Sequence, residues 1–95
     1  MEIKTINATI SVSPQISAAD VRRIADQGFR SIMCNRPDGE GADQPTFEEI
    51  EAAAKEAGLE IRYLPIVAGR VTDDDASDFG RALDEMPKPV FAYCR

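Results

Sequence analysis

The sequence predicts an α/β domain organised on a parallel sheet. Three observations carry this. Short apolar runs of strand length alternate with three stretches whose apolar residues recur at helical spacing. Each helical stretch opens on a residue suited to capping, Ser17, Thr46 or Thr72. The resulting order, β-α-β-α-β-α-β, joins successive strands through helical crossovers, which makes them parallel.

Taken in order, residues 3–13 read as the first strand, with Ala8, Ile10 and Val12 alternating against Thr9, Ser11 and Ser13. Pro14 ends it. Ser17 caps a helix and Asp20, three positions on, completes an acidic capping box. Val21, Ile24 and Ala25 form the inner stripe, and Gly28 is placed to close the helix. Phe29 to Cys34 is the second strand. The loop Asn35-Arg36-Pro37-Asp38-Gly39-Glu40-Gly41 follows, longer than a simple βα turn needs. Thr46 and Glu49 make the next capping box, and Phe47, Ile50, Ala54 and Ala57 face the core. Leu59 to Leu64 is the third strand, and Pro65 to Val71 the loop after it. Thr72 and Asp73-Asp74-Asp75 start the third helix, where acids suit the positive end of the helix dipole. Ala76, Phe79, Leu83 and Met86 are its expected buried stripe. Pro89-Val90-Phe91-Ala92-Tyr93 is the last strand and delivers Cys94 at its carboxyl end.

The 95 residues make one domain, residues 1–95, with a core of little margin. Hydrophobic content of 43% and charged content of 29% are ordinary for a globular chain. A net charge of −6 argues against nucleic acid or an anionic membrane as partner. A small phosphorylated ligand needs only local positive charge. Histidine is absent, and Cys34 and Cys94 have no metal-ligand spacing, so neither a zinc site nor any other cofactor is expected. The first residues lack the pattern of a signal peptide, and no run approaches ~18 apolar residues. The expected location is the cytoplasm, with free thiols.

Parallel strands bring all strand carboxyl ends to one edge, where ligands of open α/β sheets bind. That edge collects residues 35–41, residues 65–71, and Cys94-Arg95. Arg36, Arg70 and Arg95 all fall there and suggest an anion site, because Arg holds phosphate through two parallel hydrogen bonds. Asn35 joins them as a candidate substrate-binding residue. Cys94 is either a small apolar residue of the strand end or a nucleophile. Without histidine, something other than imidazole must activate it. Gln15, near a strand end, either lines the pocket or closes a turn.

Several segments together resemble one family: Ser13-Pro14-Gln15-Ile16-Ser17-Ala18-Ala19-Asp20, Cys34-Asn35-Arg36-Pro37-Asp38-Gly39-Glu40, Ala57-Gly58-Leu59-Glu60-Ile61 leading to Leu64-Pro65-Ile66, and Pro89-Val90-Phe91-Ala92-Tyr93-Cys94-Arg95. The chain is similar to the bacterial phosphatase-like domain found alone or attached to beta-lactamase-like hydrolases, within the dual-specificity and tyrosine phosphatase superfamily. The resemblance implies a three-layer fold with a four-stranded parallel sheet, order 1-4-2-3. It implies thiolate attack by Cys94 on a phosphate monoester of a small molecule or phosphoprotein, through a phosphocysteine intermediate. An acid protonates the leaving oxygen. The loop after the third strand, where the superfamily keeps that acid, has none here, so Asp38, Glu40 or Asp73 to Asp75 must substitute, and Asp38 is favoured. The implied Cys-x5-Arg loop is represented only by its first two residues, so Arg95 is a loop residue and not the phosphate clamp. The resemblance therefore predicts that these 95 residues alone lack C-terminal helices and phosphatase activity. It also predicts an exposed apolar patch that favours self-association. Two other functions remain in view: a rhodanese-like sulfurtransferase, which also presents Tyr-Cys-Arg after a strand, and a phosphate-binding regulatory module without turnover.

Overall fold

The computed structural model describes residues 2–67 and 69–94. Arg95 lies outside the described residues. Eight elements follow in chain order: β1 (Lys4–Thr5), β2 (Ile10–Ser13), α1 (Ala18–Asp26), β3 (Ser31–Cys34), α2 (Phe47–Glu56), β4 (Glu60–Tyr63), α3 (Asp73–Glu85) and β5 (Val90–Tyr93).

The sheet has five strands in the order β1-β2-β5-β3-β4, which corrects the expected count of four. The additional strand comes from the segment read as one strand over 3–13. Asn7 breaks it: its Oδ1 accepts hydrogen bonds from the Thr9 N–H at 2.8 Å and the Ile10 N–H at 3.2 Å. An Asx turn of this kind competes with continued extension. The chain doubles back, and β1 pairs antiparallel with β2. From β2 onward every strand pair is parallel.

β5 is the axis of the molecule. It pairs with β2 on one side and β3 on the other. Val90, Phe91, Ala92 and Tyr93 are each at most 2% exposed, as a strand covered on both faces must be. Phe91 and Tyr93 face α1 and α2, joining Val21, Ile24, Ile50 and Ala54. Val90 and Ala92 face the other way, toward Ala82 of α3 and Met86 just after it. Phe29 meets Phe91 edge-on, with ring centroids 5.2 Å apart. The molecule thus has three layers, two helices on one face of the sheet and one on the other.

The helix ends follow local chemistry. On α1 the Ser17 N–H donates to Asp20 Oδ2 at 3.0 Å, and Thr72 and Asp75 form a reciprocal capping box on α3. Gly28 has φ +94, the left-handed conformation that closes α1. On α2, Thr46 Oγ1 accepts the Glu49 N–H at 3.2 Å, while the Phe47 N–H goes to a distant acid, Asp38 Oδ1, at 2.8 Å. The stripe of α3 is also corrected. Ala76 is exposed, and the buried face runs through Phe79, Ala82, Leu83 and Met86. Among the described residues no helix is long and apolar enough to cross a membrane.

Candidate functional site

The strand register defines the site. Ser13, Tyr93, Cys34 and Tyr63 form one row across β2, β5, β3 and β4. Beyond this row the backbones continue to zip. Cys94 N–H donates to the Ser13 carbonyl at 3.0 Å, Asn35 N–H to the Tyr93 carbonyl at 2.9 Å, and Leu64 N–H to the Cys34 carbonyl at 2.8 Å. Cys94 is thus held in register one residue past the end of β5, flanked by the exits of β2 and β3. Unlike the four residues before it, its side chain is exposed. Its thiol lies 3.8 Å from the Ser13 carbonyl. A cavity of about 450 Å³ opens beside it, lined by Glu2, Ile3, Lys4, Val12, Ser13 and Pro14.

Asn35 is buried, and its contacts are internal. Its side-chain amide donates to the Leu64 carbonyl at 3.0 Å and its backbone carbonyl accepts the Ile66 N–H at 2.9 Å. It fastens the exits of β3 and β4 to each other. Asp38 sits on the same loop. Its N–H donates to the Tyr63 hydroxyl at 3.0 Å and its Oδ1 caps α2, while the Tyr63 ring packs on Phe47 with centroids 4.8 Å apart. Arg70 is exposed on the loop between β4 and α3, in a turn closed by its N–H to the Val67 carbonyl at 3.0 Å.

Arg36 departs from the expectation of an open cation. Its Nε lies 3.2 Å from Glu40 Oε1, and its Nη1 donates to Gln15 Oε1 at 3.1 Å. Its charge is balanced on its own loop, four residues away, and Asp38 adds a further negative charge nearby. Glu40 and Arg36 are i, i+4 neighbours on a tight loop, a pairing that counting arginines in the sequence overlooks.

Cys34 and Tyr93 occupy the α1/α2 face behind the rim. Burial pushes the Cys34 thiol above its ordinary value of 9.0, against the lowering effect of the Tyr93 hydroxyl and the Arg36 backbone. Its Sγ donates to the Arg36 carbonyl at 3.3 Å. Burial likewise pushes Tyr93 well above its ordinary 10.0, reinforced by the hydrogen bond to Cys34 and the charge of Asp38. Both groups stay protonated at neutral pH. Cys34 is therefore an inert member of the core, and Cys94 is the accessible thiol. The structure brings Cys94, Asn35, Arg36 and Asp38 to one edge. Inside the cavity itself, among these predicted residues, only Cys94 appears. Gln15 and Tyr93 carry contacts whose importance no local pattern announced, since both depend on partners far away in the chain.

A family model described as Beta-lactamase hydrolase-like protein, phosphatase-like domain, matches residues 2–95. The chain belongs to this family. The Beta-lactamase hydrolase-like protein of Agrobacterium fabrum is 34% identical over 95 residues, covering 100% of this chain and 22% of the relative. The chain thus spans about a fifth of the length of the curated relatives it matches. The crystal structure of a candidate phosphatase from Neisseria meningitidis is 34% identical, with a TM-score of 0.93 over 100% of this chain and 68% of that one. TpbA of P. aeruginosa, solved in complex with phosphotyrosine, shares the fold at 18% identity, with a TM-score of 0.72 over 98% of this chain and 52% of that one. The phosphatase-like domain thus has the α/β fold of tyrosine phosphatase structures.

Proposed function

We propose that this chain supplies the sheet and the nucleophile of a cysteine-dependent phosphatase acting on a phosphate monoester. One observation carries the reading. Cys94 stands one residue past the buried central strand, its N–H held by Ser13 and the preceding carbonyl by Asn35, at the edge where α/β sheets bind ligands. The Cys94 thiolate attacks phosphorus, the P–O bond to the alcohol breaks, and water hydrolyses the phosphocysteine. Asp38 is assigned the proton for the leaving alkoxide. Its Oδ1 caps α2, and its charge is the carboxylate felt by both Cys34 and Tyr93. Arg70, exposed on the neighbouring loop, supplies a cation toward an incoming dianion, and Arg95 is assigned to the phosphate loop that starts at Cys94. TpbA, which shares the fold, binds phosphotyrosine, and this supports a phosphorylated small molecule or phosphoprotein as substrate.

The test is hydrolysis of an aryl phosphate by the natural protein that carries this sequence, with Cys94→Ser beside it. Turnover that vanishes in the variant is the expected result. Thiocyanate formation from thiosulfate and cyanide, without phosphate release, would replace the reading by sulfur transfer.

A further inference from the structure

We infer that Arg36 is a positioning residue and not a ligand of the substrate phosphate: with Gln15 and Glu40 it straps the exit of β2 to the exit of β3 across the carboxyl end of β5. Its consequence for catalysis rests on the proposed function, whereas the strap itself rests on geometry. Gln15 and Arg36 stand one residue further out than Cys94, on the two strands that flank β5. Their side chains meet over the place where the chain leaves the central strand, Arg36 Nη1 donating to Gln15 Oε1 at 3.1 Å. The amide of Gln15 is held at its other end, Nε2 donating to the Ile16 carbonyl at 2.8 Å. A guanidinium offers only donors and a carbonyl only accepts, so one orientation of that amide satisfies both.

The rest of the guanidinium is equally constrained. Nε is bound to Glu40 Oε1 at 3.2 Å. Nη2 abuts Gly41, where a β-carbon would come within 3.1 Å of it. The Arg36 backbone carbonyl is tied to the Cys34 thiol at 3.3 Å, which in turn accepts from the buried Tyr93 hydroxyl. The side chain is 15% exposed. To grip phosphate as a fork, Arg36 must give up a charge-assisted bond and face a dianion beside Glu40 and Asp38. As a strap it needs no rearrangement. It fixes the two backbones between which Cys94 stands, and Gly41 is the residue that leaves room for it.

The test follows alkylation of Cys94 by iodoacetamide in the natural protein, read on the Cys94 peptide by mass spectrometry, alone and against rising orthophosphate. The variants are Gln15→Ala, Arg36→Gln, their combination, and Gly41→Ala, which displaces the guanidinium while keeping every partner and serves where Arg36→Gln does not fold. Gln15→Ala and Arg36→Gln are expected to change the alkylation rate by the same factor, about tenfold for a lost charge-assisted bond. Their combination adds nothing further, and Gly41→Ala moves the rate in the same direction. The orthophosphate concentration giving half-protection is expected to shift equally in Gln15→Ala and Arg36→Gln. Protection lost in Arg36→Gln and kept in Gln15→Ala would make Arg36 a phosphate ligand and overturn the inference. Effects that multiply in the double variant, or rates equal to wild type throughout, would also overturn it. Absence of protection in the wild type counts against the phosphatase reading, and the alkylation rates then decide the strap by the same criteria.

Discussion

Asp38 caps α2 and is proposed as the general acid, and a single pair of substitutions separates the two roles. Its Oδ1 accepts the Phe47 N–H, and its carboxylic proton is assigned to the leaving group. Asn keeps an acceptor oxygen and carries no such proton. Asp38→Asn is expected to hold the melting temperature and lower kcat by about 100-fold, the usual scale of a lost general acid. Asp38→Ala is expected to lose the cap as well, costing about 1 kcal/mol in denaturant unfolding. An Asp38→Asn protein with undiminished kcat would leave the residue as a cap alone. The position of Asp38 was legible because it follows a strand in a glycine-rich loop. Its tie to α2, nine residues on, was not, since Thr46 already presents the expected local cap. The pairing of Arg36 was missed for a related reason: charge counting assigns a cation to the edge without asking which carboxylate the loop folds onto it.

The elements differ in how firmly they are held, and sequence patterns revealed part of this. The bond between the Ser17 N–H and Asp20 was written in the sequence, because capping is decided within four residues. The same locality makes Asn7 readable in hindsight as the turn that splits β1 from β2. The helical period located α3 and most of its buried face but did not show that Ala76 stays outside it. Ala82 is the buried residue of α3. Thr72→Ala is therefore expected to act locally. It should remove the bond that the Asp75 N–H donates to Thr72 Oγ1, cost about 1 kcal/mol, and speed amide exchange through the first turns of α3. Exchange in β3 and β5 should stay as slow as in wild type. Acceleration spread evenly over the sheet would mean that α3 unfolds only with the whole domain.

Across the whole molecule, β5 and the polar pair behind it set the response to pH. Burial holds both Tyr93 and Cys34 above their ordinary values. The folded state therefore binds these protons more tightly than the unfolded chain does. The stability they contribute is fully present below the unfolded values, near 9.0 for the thiol and 10.0 for the phenol, and is lost as pH climbs toward the folded ones. The melting temperature is expected to fall steeply above about pH 9, and Tyr93→Phe is expected to flatten that fall while losing the hydrogen bond to Cys34. An identical alkaline slope in the variant would show that Tyr93 titrates normally. Phe91, buried completely against Phe29, is expected to cost about 3–5 kcal/mol on truncation to Ala, in denaturant unfolding.

The same central strand that organises the core presents Cys94 to the edge, so the account turns on what that thiol does. The most direct measurement is a rapid acid quench of the natural protein turning over an aryl phosphate, followed by mass analysis of the Cys94 peptide. The account predicts a phosphoryl group on that peptide during turnover and none on the peptide of Cys34. Phosphate release with Cys94 unmodified at every quench time would contradict it.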